Sequence, residues 1–142
     1  MSAAEQTGSP LVSALTRVGD RWTLLLVQAL LAGPRRFSDL SGELPGLAPN
    51  ILSQRLKRLE SDGITVARPY STRPPRSAYE LTARGRELAG VLGLLADWAA
   101  RGSEPVETPR HSACGTAMQA RWWCPTCGRT VDDDEAETLR YL

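Results

Sequence analysis

The segment from Phe37 to Gly63 is the feature that most constrains the fold of this chain. It contains two helical patterns separated by a Pro45-Gly46 break. Ser38 is expected to cap the first helix, SDLSGEL, and Pro49 is expected to open the second, NILSQRLKRLESD. The second helix carries leucines at i, i+4 and i+7, namely Leu52, Leu56 and Leu59. This spacing predicts one buried face and leaves the opposite face exposed.

The exposed face of the second helix carries hydrogen-bonding and cationic groups. Asn50, Ser53 and Gln54 lie at its N-terminal end, and Arg55, Lys57 and Arg58 follow. Amide side chains can pair with adenine through two hydrogen bonds, and cationic ones with guanine. We therefore expect the first three residues to face base edges and the cations to contact phosphates.

The flanking segments complete the order of elements. Two helices precede the pair, one opening at Ser9-Pro10 and one, RWTLLLVQALLAG, capped by Asp20. The segments ITVARPY and SAYELT follow as a hairpin joined by the basic loop STRPPR, and Thr82 caps one long last helix, ARGRELAGVLGLLADWAARG. The predicted fold is mainly α with a small β-hairpin wing, a winged helix-turn-helix.

The distribution of charge supports contact with a polyanion. The formal net charge is only +1, but residues 1–102 carry 13 Lys and Arg against 9 Asp and Glu, whereas residues 103–142 carry 4 against 7. The basic surplus is suited to duplex DNA. The predicted DNA-binding residues are Arg36, Ser38, Asn50, Ser53, Gln54, Arg55, Lys57, Arg58, Arg73 and Arg76.

The same residues carry a family resemblance. The run VGDRWTLLLVQALLAGPRRFSDLSGELPGLAPNILSQRLKRLESDGITVARPY, with PPRSAYELTARGRELAGVL and ADWA, resembles the HxlR family of bacterial winged-helix regulators, relatives of the MarR group. The resemblance covers residues 9 to about 101. It implies homodimers on pseudo-palindromic operators, with half-sites about 34 to 36 Å apart. Members often carry a cysteine before the first proline, but this chain has Ser9, which excludes thiol sensing at that position.

The resemblance also implies that both terminal helices of the domain pack across a two-fold axis. The residues expected in this dimer interface are Leu11, Leu15, Leu88, Val91, Leu92, Leu95 and Trp98. A small-molecule effector is possible in such regulators. Trp22 and Phe37 could line a cavity for it, but aromatic residues at this spacing are more often part of the core, and we favour the core.

The last 40 residues contain two similar motifs, His111-Ser-Ala-Cys114-Gly and Cys124-Pro-Thr-Cys127-Gly, with nine residues between Cys114 and Cys124. Three thiolates and one imidazole form a closed tetrahedral set for a structural zinc ion. The segments ARWW and RTV are expected to form the strands of a zinc ribbon-like module. Two alternatives stay open: a Cys124/Cys127 redox pair, and reduced cysteines without metal. Zinc occupancy or thiol oxidation could also tune DNA affinity.

We expect two domains, a DNA-binding and dimerisation domain over residues 1–102 and a linker with the ribbon-like tail over 103–142. Its acidic end, VDDDEAETLRYL, should repel phosphates. The predicted function is a sequence-specific transcriptional regulator, most simply a homodimeric repressor; the alternative is a protein-interaction adaptor that does not bind DNA. An enzyme is not expected, since the single histidine belongs to the metal motif. With no signal peptide and no apolar stretch of about 20 residues, we expect a cytoplasmic protein.

Overall fold

The computed structural model describes residues 9–101, 110–131 and 135. The linker over 103–109 and most of the acidic end lie outside these residues. The helices are α1 (Pro10–Val18), α2 (Arg21–Leu31), α3 (Phe37–Glu43), α4 (Pro49–Ser61), α5 (Ala83–Arg86) and α6 (Leu88–Ala100). The strands are β1 (Arg35–Arg36), β2 (Thr65–Thr72), β3 (Pro75–Leu81), β4 (Trp122–Cys124) and β5 (Arg129–Val131).

The predicted ends of α2 and α4 are confirmed. Asp20 has an extended backbone before α2, and its carboxylate accepts a hydrogen bond from the Thr23 N–H at 3.1 Å. Pro49 occupies the first turn of α4, where a missing N–H costs nothing. Gly63 follows the C-cap of α4 with φ of +70°, a conformation that glycine adopts without strain.

The predicted cap of α3 is wrong. The helix begins at Phe37, one residue before Ser38, because Arg35 and Arg36 are held in an extended strand that pairs with β3. The Asp39 carboxylate accepts a hydrogen bond from the Arg36 N–H at 2.8 Å and so satisfies the start of the helix. Ser9 also makes no side-chain capping hydrogen bond to α1. In both places backbone position, not the serine hydroxyl, sets where the helix starts.

The predicted single last helix is divided at Glu87 into α5 and α6. Thr82 caps the first part as expected, because its hydroxyl accepts a hydrogen bond from the Gly85 N–H at 3.1 Å. That short turn is fastened to the wing: the Thr82 N–H donates to the Ile64 carbonyl at 3.0 Å, and Arg86 donates to the Leu81 carbonyl at 2.8 Å. The Thr82–Ile64 contact joins residues 18 apart (82 − 64), so local sequence does not reveal that α5 is held as a separate turn.

The wing is an antiparallel sheet of three strands in the order β1-β3-β2. The hairpin strands pair from Thr65 with Leu81 to Thr72 with Pro75. The predicted loop STRPPR is therefore shorter in the structure, and Arg76 lies in β3. The sequence did not reveal β1, because a strand of two residues has no periodicity to detect.

Eleven hydrophobic side chains form the buried core: Leu26, Val27, Leu30, Leu40, Leu44, Leu47, Leu52, Leu56, Leu59, Ile64 and Leu81. The three leucines predicted as the inner face of α4 are among them. Trp22 and Phe37 pack against this core, which confirms the core interpretation of both aromatic residues. The core thus joins α2, α3, α4 and the wing.

The chain divides into two compact units, Met1–Leu92 and Gly93–Leu142. The boundary between the units lies inside α6, after Leu92. The sequence pattern predicts it ten residues later, after residue 102. In the second unit β4 and β5 pair antiparallel, with Trp122 opposite Val131 and Cys124 opposite Arg129. Among the described residues, no helix is long and apolar enough to cross a membrane.

Candidate nucleic-acid interface

The turn between α3 and α4 holds the second helix with one face outward. The Leu44 N–H donates to the Leu40 carbonyl at 3.1 Å, and the Leu47 N–H donates to the Leu44 carbonyl at 3.2 Å. Both Leu44 and Leu47 are buried, so they anchor the turn in the core. Gly46 adopts φ of +92° between them, which favours glycine over other residues.

The outward face of α4 is polar and available. Asn50, Gln54 and Lys57 are exposed and Ser53 is half-buried. Within the described part of the chain these four side chains make no hydrogen bond or ion pair with another residue. We call them the polar face of α4. Their donors and acceptors are free to meet a partner.

Two other predicted phosphate contacts of α4 have partners inside the protein. The Arg55 Nε lies 3.3 Å from the Asp20 carboxylate. The Arg58 guanidinium donates to the Thr16 carbonyl at 2.6 Å, and its Nε lies 3.9 Å from the Asp62 carboxylate. Both arginines therefore connect α4 to neighbouring parts of the fold, Arg58 to the end of α1 and Arg55 to the start of α2.

The carboxylate of Asp20 is stabilised in its charged form at this junction. Partial burial by itself would raise the pKa of Asp20. The hydroxyl and N–H of Thr23, the Arg55 guanidinium and the Trp22 N–H together outweigh burial and lower the pKa below its ordinary value of 3.8. Both the N-cap hydrogen bonds of α2 and the ion pair with Arg55 therefore favour the charged form of the Asp20 carboxylate.

On the wing, Arg73 and Arg76 are exposed and have no ion-pair partner among the described residues. The third predicted cation, Arg36, lies with its guanidinium carbon 4.7 Å from the centre of the Tyr70 ring. Tyr70 itself is 46% exposed and follows a shift in register between Pro69 and Ser71. Ser38 is exposed in the first turn of α3.

Two other arginines near the wing are paired with carboxylates. Arg35 contacts Glu43 at 2.7 Å, and Arg68 contacts Glu80 at 2.7 Å. The Tyr79 side chain in β3 packs against the core; burial and the Glu60 carboxylate raise the pKa of its phenol. Among the described residues, the predicted cations without an ion-pair partner are Arg36, Lys57, Arg73 and Arg76.

The residues predicted for the dimer interface fall into two groups. Leu88 and Leu92 pack against the core of their own chain. The exposed members are Leu11 (64%), Leu15 (55%), Val91 (54%), Leu95 (48%) and Trp98 (74%). The sequence analysis missed Leu94, which is 46% exposed and lies three residues after Val91, a spacing that brings residues to one helix face.

In the C-terminal unit the four predicted metal ligands form two pairs. The His111 Nδ1 lies 3.4 Å from the Cys114 Sγ, and the Cys127 N–H lies 3.5 Å from the Cys124 Sγ. All three cysteines are free thiols. Among the described residues, no three His, Cys, Asp or Glu side chains come together as a metal site.

Hydrogen bonds set the pKa values of these thiols. The hydroxyl and backbone of Thr116 lower the pKa of Cys114. The backbone N–H and thiol of Cys127 lower the pKa of Cys124, and the same thiol contact raises the pKa of Cys127. Cys124 is therefore the more acidic thiol of the second pair.

A helix-turn-helix whose second helix exposes a polar face, followed by a basic wing, defines the winged helix-turn-helix class of DNA-binding proteins. Residues 17–107 match the model of the HxlR-like helix-turn-helix family. The chain belongs to this family, and the protein is a DNA-binding transcriptional regulator.

Curated relatives carry the same description. An HTH-type transcriptional regulator of Mycobacterium bovis is 36% identical over 131 residues, covering 87% of this chain and 80% of that protein. The HTH-type transcriptional regulator YvaP of Bacillus subtilis is 38% identical over 92 residues, covering 65% of this chain and 85% of that protein. The first match covers 87% of this chain, whereas residues 1–107 make up only about 75% of its 142 residues. That match therefore includes part of the C-terminal unit.

Solved structures likewise differ in how much of this chain they cover. The redox regulator HypR in its oxidised form is 28% identical, with a TM-score of 0.61, and covers 68% of this chain and 99% of that one. The crystal structure of PA1607, described as a proposed transcription factor, is 26% identical with a TM-score of 0.76 and covers 94% of this chain and 96% of that one. The match to PA1607 therefore reaches beyond the winged-helix unit.

Proposed function

We propose that the protein acts as a homodimeric repressor in which α4 of each chain enters the major groove of a pseudo-palindromic operator. The observation that carries this proposal is the polar face of α4, whose Asn50, Gln54 and Lys57 are exposed and free while neighbouring Arg55 and Arg58 are engaged inside the protein. A B-DNA major groove about 12 Å wide admits an α-helix with this face toward the bases.

The free groups divide naturally between bases and phosphates. Asn50, Ser53 and Gln54 lie in the first half of α4, the part of a recognition helix that contacts base edges. Lys57 is placed for a phosphate. Arg73 and Arg76 on the wing are suited to the backbone or to a narrow minor groove, which attracts arginine. Arg36 and Ser38, at the start of α3, are further phosphate candidates.

Arg55 and Arg58 take a different role in this proposal from the phosphate contacts predicted from sequence. Arg55 forms an ion pair with Asp20, and Arg58 donates a hydrogen bond to the Thr16 carbonyl, so a phosphate would compete with these contacts. We propose that they position α4 against the α1–α2 junction. Their loss should weaken binding to specific and non-specific duplexes alike.

Apolar side chains exposed on α1 and α6 support the homodimer. Leu11 and Leu15 on α1, and Val91, Leu95 and Trp98 on α6, are about half exposed or more. Monomeric soluble proteins rarely leave large apolar patches in water. A second copy of the chain is the partner that the family resemblance implies, and its two-fold symmetry would match a pseudo-palindromic operator.

The DNA proposal is tested by binding to the region upstream of the protein's own gene across a series of salt concentrations. A good amide–base pair contributes roughly 1 to 3 kcal/mol, so Gln54→Ala should weaken specific binding about 5- to 150-fold. It should leave non-specific binding unchanged. Gln28→Ala is the matched control, because Gln28 is an exposed glutamine on α2 away from the polar face. Equal loss in both variants, or no binding to any duplex, contradicts the proposal and favours the adaptor.

The dimer is tested by light scattering on the purified chain. Leu15→Glu places a charge on the exposed apolar side of α1 and should shift the mass toward a monomer, while Gln28→Glu should not. A wild-type mass of one chain at micromolar concentration would contradict the homodimer.

The C-terminal unit takes no part in DNA contact in this proposal, because residues 103–142 carry 7 acidic against 4 basic residues. We propose a structural metal site as its role.

A further inference from the structure

We infer that the C-terminal unit binds one Zn²⁺ per chain through His111, Cys114, Cys124 and Cys127. These residues lie on two turns of the same construction, which repeat within about 20 residues of chain. The inference rests on the geometry of each turn, on the donor set and on the lack of any buried core around them.

The two turns have equivalent backbones. In the first, the Gly115 N–H donates to the His111 carbonyl at 2.7 Å; in the second, the Gly128 N–H donates to the Cys124 carbonyl at 2.8 Å. Gly115 has φ of +70° and Gly128 has φ of +66°, a conformation that L side chains rarely adopt. Each turn thus presents a ligand at its first and fourth positions and closes on a left-handed glycine.

Donor spacing in the first turn fits a metal. With Zn–N of about 2.05 Å, Zn–S of about 2.3 Å and a tetrahedral angle, the nitrogen and sulfur ligands lie about 3.5 Å apart. The His111 Nδ1 lies 3.4 Å from the Cys114 Sγ. These two atoms already stand at the separation of two ligands of one zinc ion.

The second turn provides the support that thiolate ligands need. The Cys127 N–H lies within 3.5 Å of the Cys124 Sγ, so the backbone donates to the sulfur. Hydrogen bonds of this kind orient ligands and stabilise their charged form. Three sulfurs with one imidazole form a ligand set typical of structural zinc and leave no open position for water.

None of the described residues of the C-terminal unit is buried, so apolar packing contributes little to holding its two turns together. From Arg110 to Trp123 every residue is exposed, and Trp122 and Trp123 are 58% and 61% exposed. The segment that carries both turns, 110–131, is only 22 residues long (131 − 110 + 1), and folded segments below about 40 residues usually need a disulfide or a metal. Three cysteines in one short unit cannot all pair as disulfides within the chain, so a metal is the simpler link.

The two pairs do not form a single group of ligands in the described structure. In this proposal zinc brings the two turns together. The residues between them, Met118 to Arg121, belong to no helix or strand. Each turn supplies half of a tetrahedron, and the metal replaces the missing core as the contact between them.

The test uses the full chain, purified without a histidine tag and dialysed against metal-free buffer, with zinc measured by mass spectrometry. We expect one Zn²⁺ per chain, released when the thiols are modified. In the Co²⁺ form the thiolate charge-transfer band should fall to about two thirds in Cys114→Ser if cobalt stays bound. His111→Cys should keep the metal, because four thiolates also form a zinc site.

Matched controls change the residues between the ligands. Ser112→Ala and Thr126→Ala should each retain one Zn²⁺, whereas Cys124→Ser and Cys127→Ser should lose it, with the helical circular dichroism of the winged-helix unit unchanged in all four. A wild-type chain that neither contains zinc nor takes it up on titration overturns the inference. So does zinc retained by the Cys114→Ser/His111→Ala double variant, which would place the metal on Cys124 and Cys127 alone.

Discussion

In the winged-helix unit, eleven buried hydrophobic side chains from four parts of the chain form one core, whereas in the C-terminal unit no described residue is buried. The first unit positions the polar face of α4 by packing, since Leu52, Leu56 and Leu59 fix the helix from behind. The second unit contains regular turns, but none of its described residues is buried. One unit is stabilised by burial, which is non-directional, whereas the zinc ion that we propose would stabilise the other through directional bonds. The following predictions test this contrast.

The largest effect is expected for a cavity in the first unit. Leu56 is 1% exposed, and replacing a buried leucine with alanine commonly lowers the free energy of unfolding by about 2 to 5 kcal/mol. Leu56→Ala should therefore shift the urea midpoint of helix unfolding strongly, while Trp123→Ala in the exposed hairpin should leave it unchanged. Comparable shifts of the urea midpoint in the two variants would contradict this prediction, because they would show that the two units unfold cooperatively.

The second-largest effect is expected at Gly85 in α5, which lies next to Ile64, the residue before β2. A Cβ added at Gly85 would lie too close to the Ile64 carbonyl oxygen, whereas one added at Gly90 would meet nothing within 4 Å. Gly85→Ala should destabilise the first unit by about 1 to 3 kcal/mol through overpacking. Gly90→Ala should stabilise it by about 0.5 to 1 kcal/mol, because alanine is the better helix former. Thermal unfolding of both variants decides whether α5 is held as tightly as described.

A smaller effect is expected from the Asp20 junction. Asp20→Ala removes the N-cap of α2 and should lower the free energy of unfolding by about 1 kcal/mol. Because the folded pKa of Asp20 lies below its ordinary value of 3.8, its contribution is complete above that value and is lost as the pH falls through the folded pKa. Unfolding measured between pH 2 and pH 6 should show this acid loss in wild type.

Asp20→Asn is the informative control for that experiment, since asparagine also caps helices. It should keep most of the stability at pH 7 while losing the acid dependence that Asp20 contributes. An unaltered pH profile in this variant would mean that other carboxylates account for the acid sensitivity.

The smallest effect is expected from a single surface cation. Lys57→Ala should leave unfolding unchanged and reduce the slope of log affinity against log salt by about 1, as for the loss of one phosphate contact. Arg58→Ala should change the salt slope less but reduce stability, because Arg58 binds the Thr16 carbonyl. The reverse result would return Arg58 to the DNA surface.

Sequence reasoning was most successful where local pattern carries the information. The periodicity of leucines predicted the buried face of α4, and Asp20, Pro49 and Thr82 were correctly assigned to helix starts. It failed for β1 and for the division of the last helix. In both cases the deciding contacts, Arg36 beside Ala78 and Thr82 on Ile64, join residues far apart in the chain.

The candidate site divides in the same way. Its free polar residues, Asn50, Gln54 and Lys57, could be chosen from sequence because they lie opposite the leucines. The engagement of Arg55 and Arg58 could not, because it depends on partners 35 and 42 residues away (55 − 20 and 58 − 16). The two turns that carry the proposed metal ligands could also be chosen from sequence, since each depends on residues three apart; zinc binding itself stays a prediction.

The order of elements, the two faces of α4 and the spacing of the His and Cys residues proposed as metal ligands were thus determined by the sequence itself, because helical and turn periodicity are local properties of the chain. Which arginines remain free for DNA, where α3 begins and how the last helix is divided were decided by the tertiary structure. The reason is that carbonyl and carboxylate acceptors compete for the same cations and backbone groups, and only folding brings these partners within hydrogen-bonding distance.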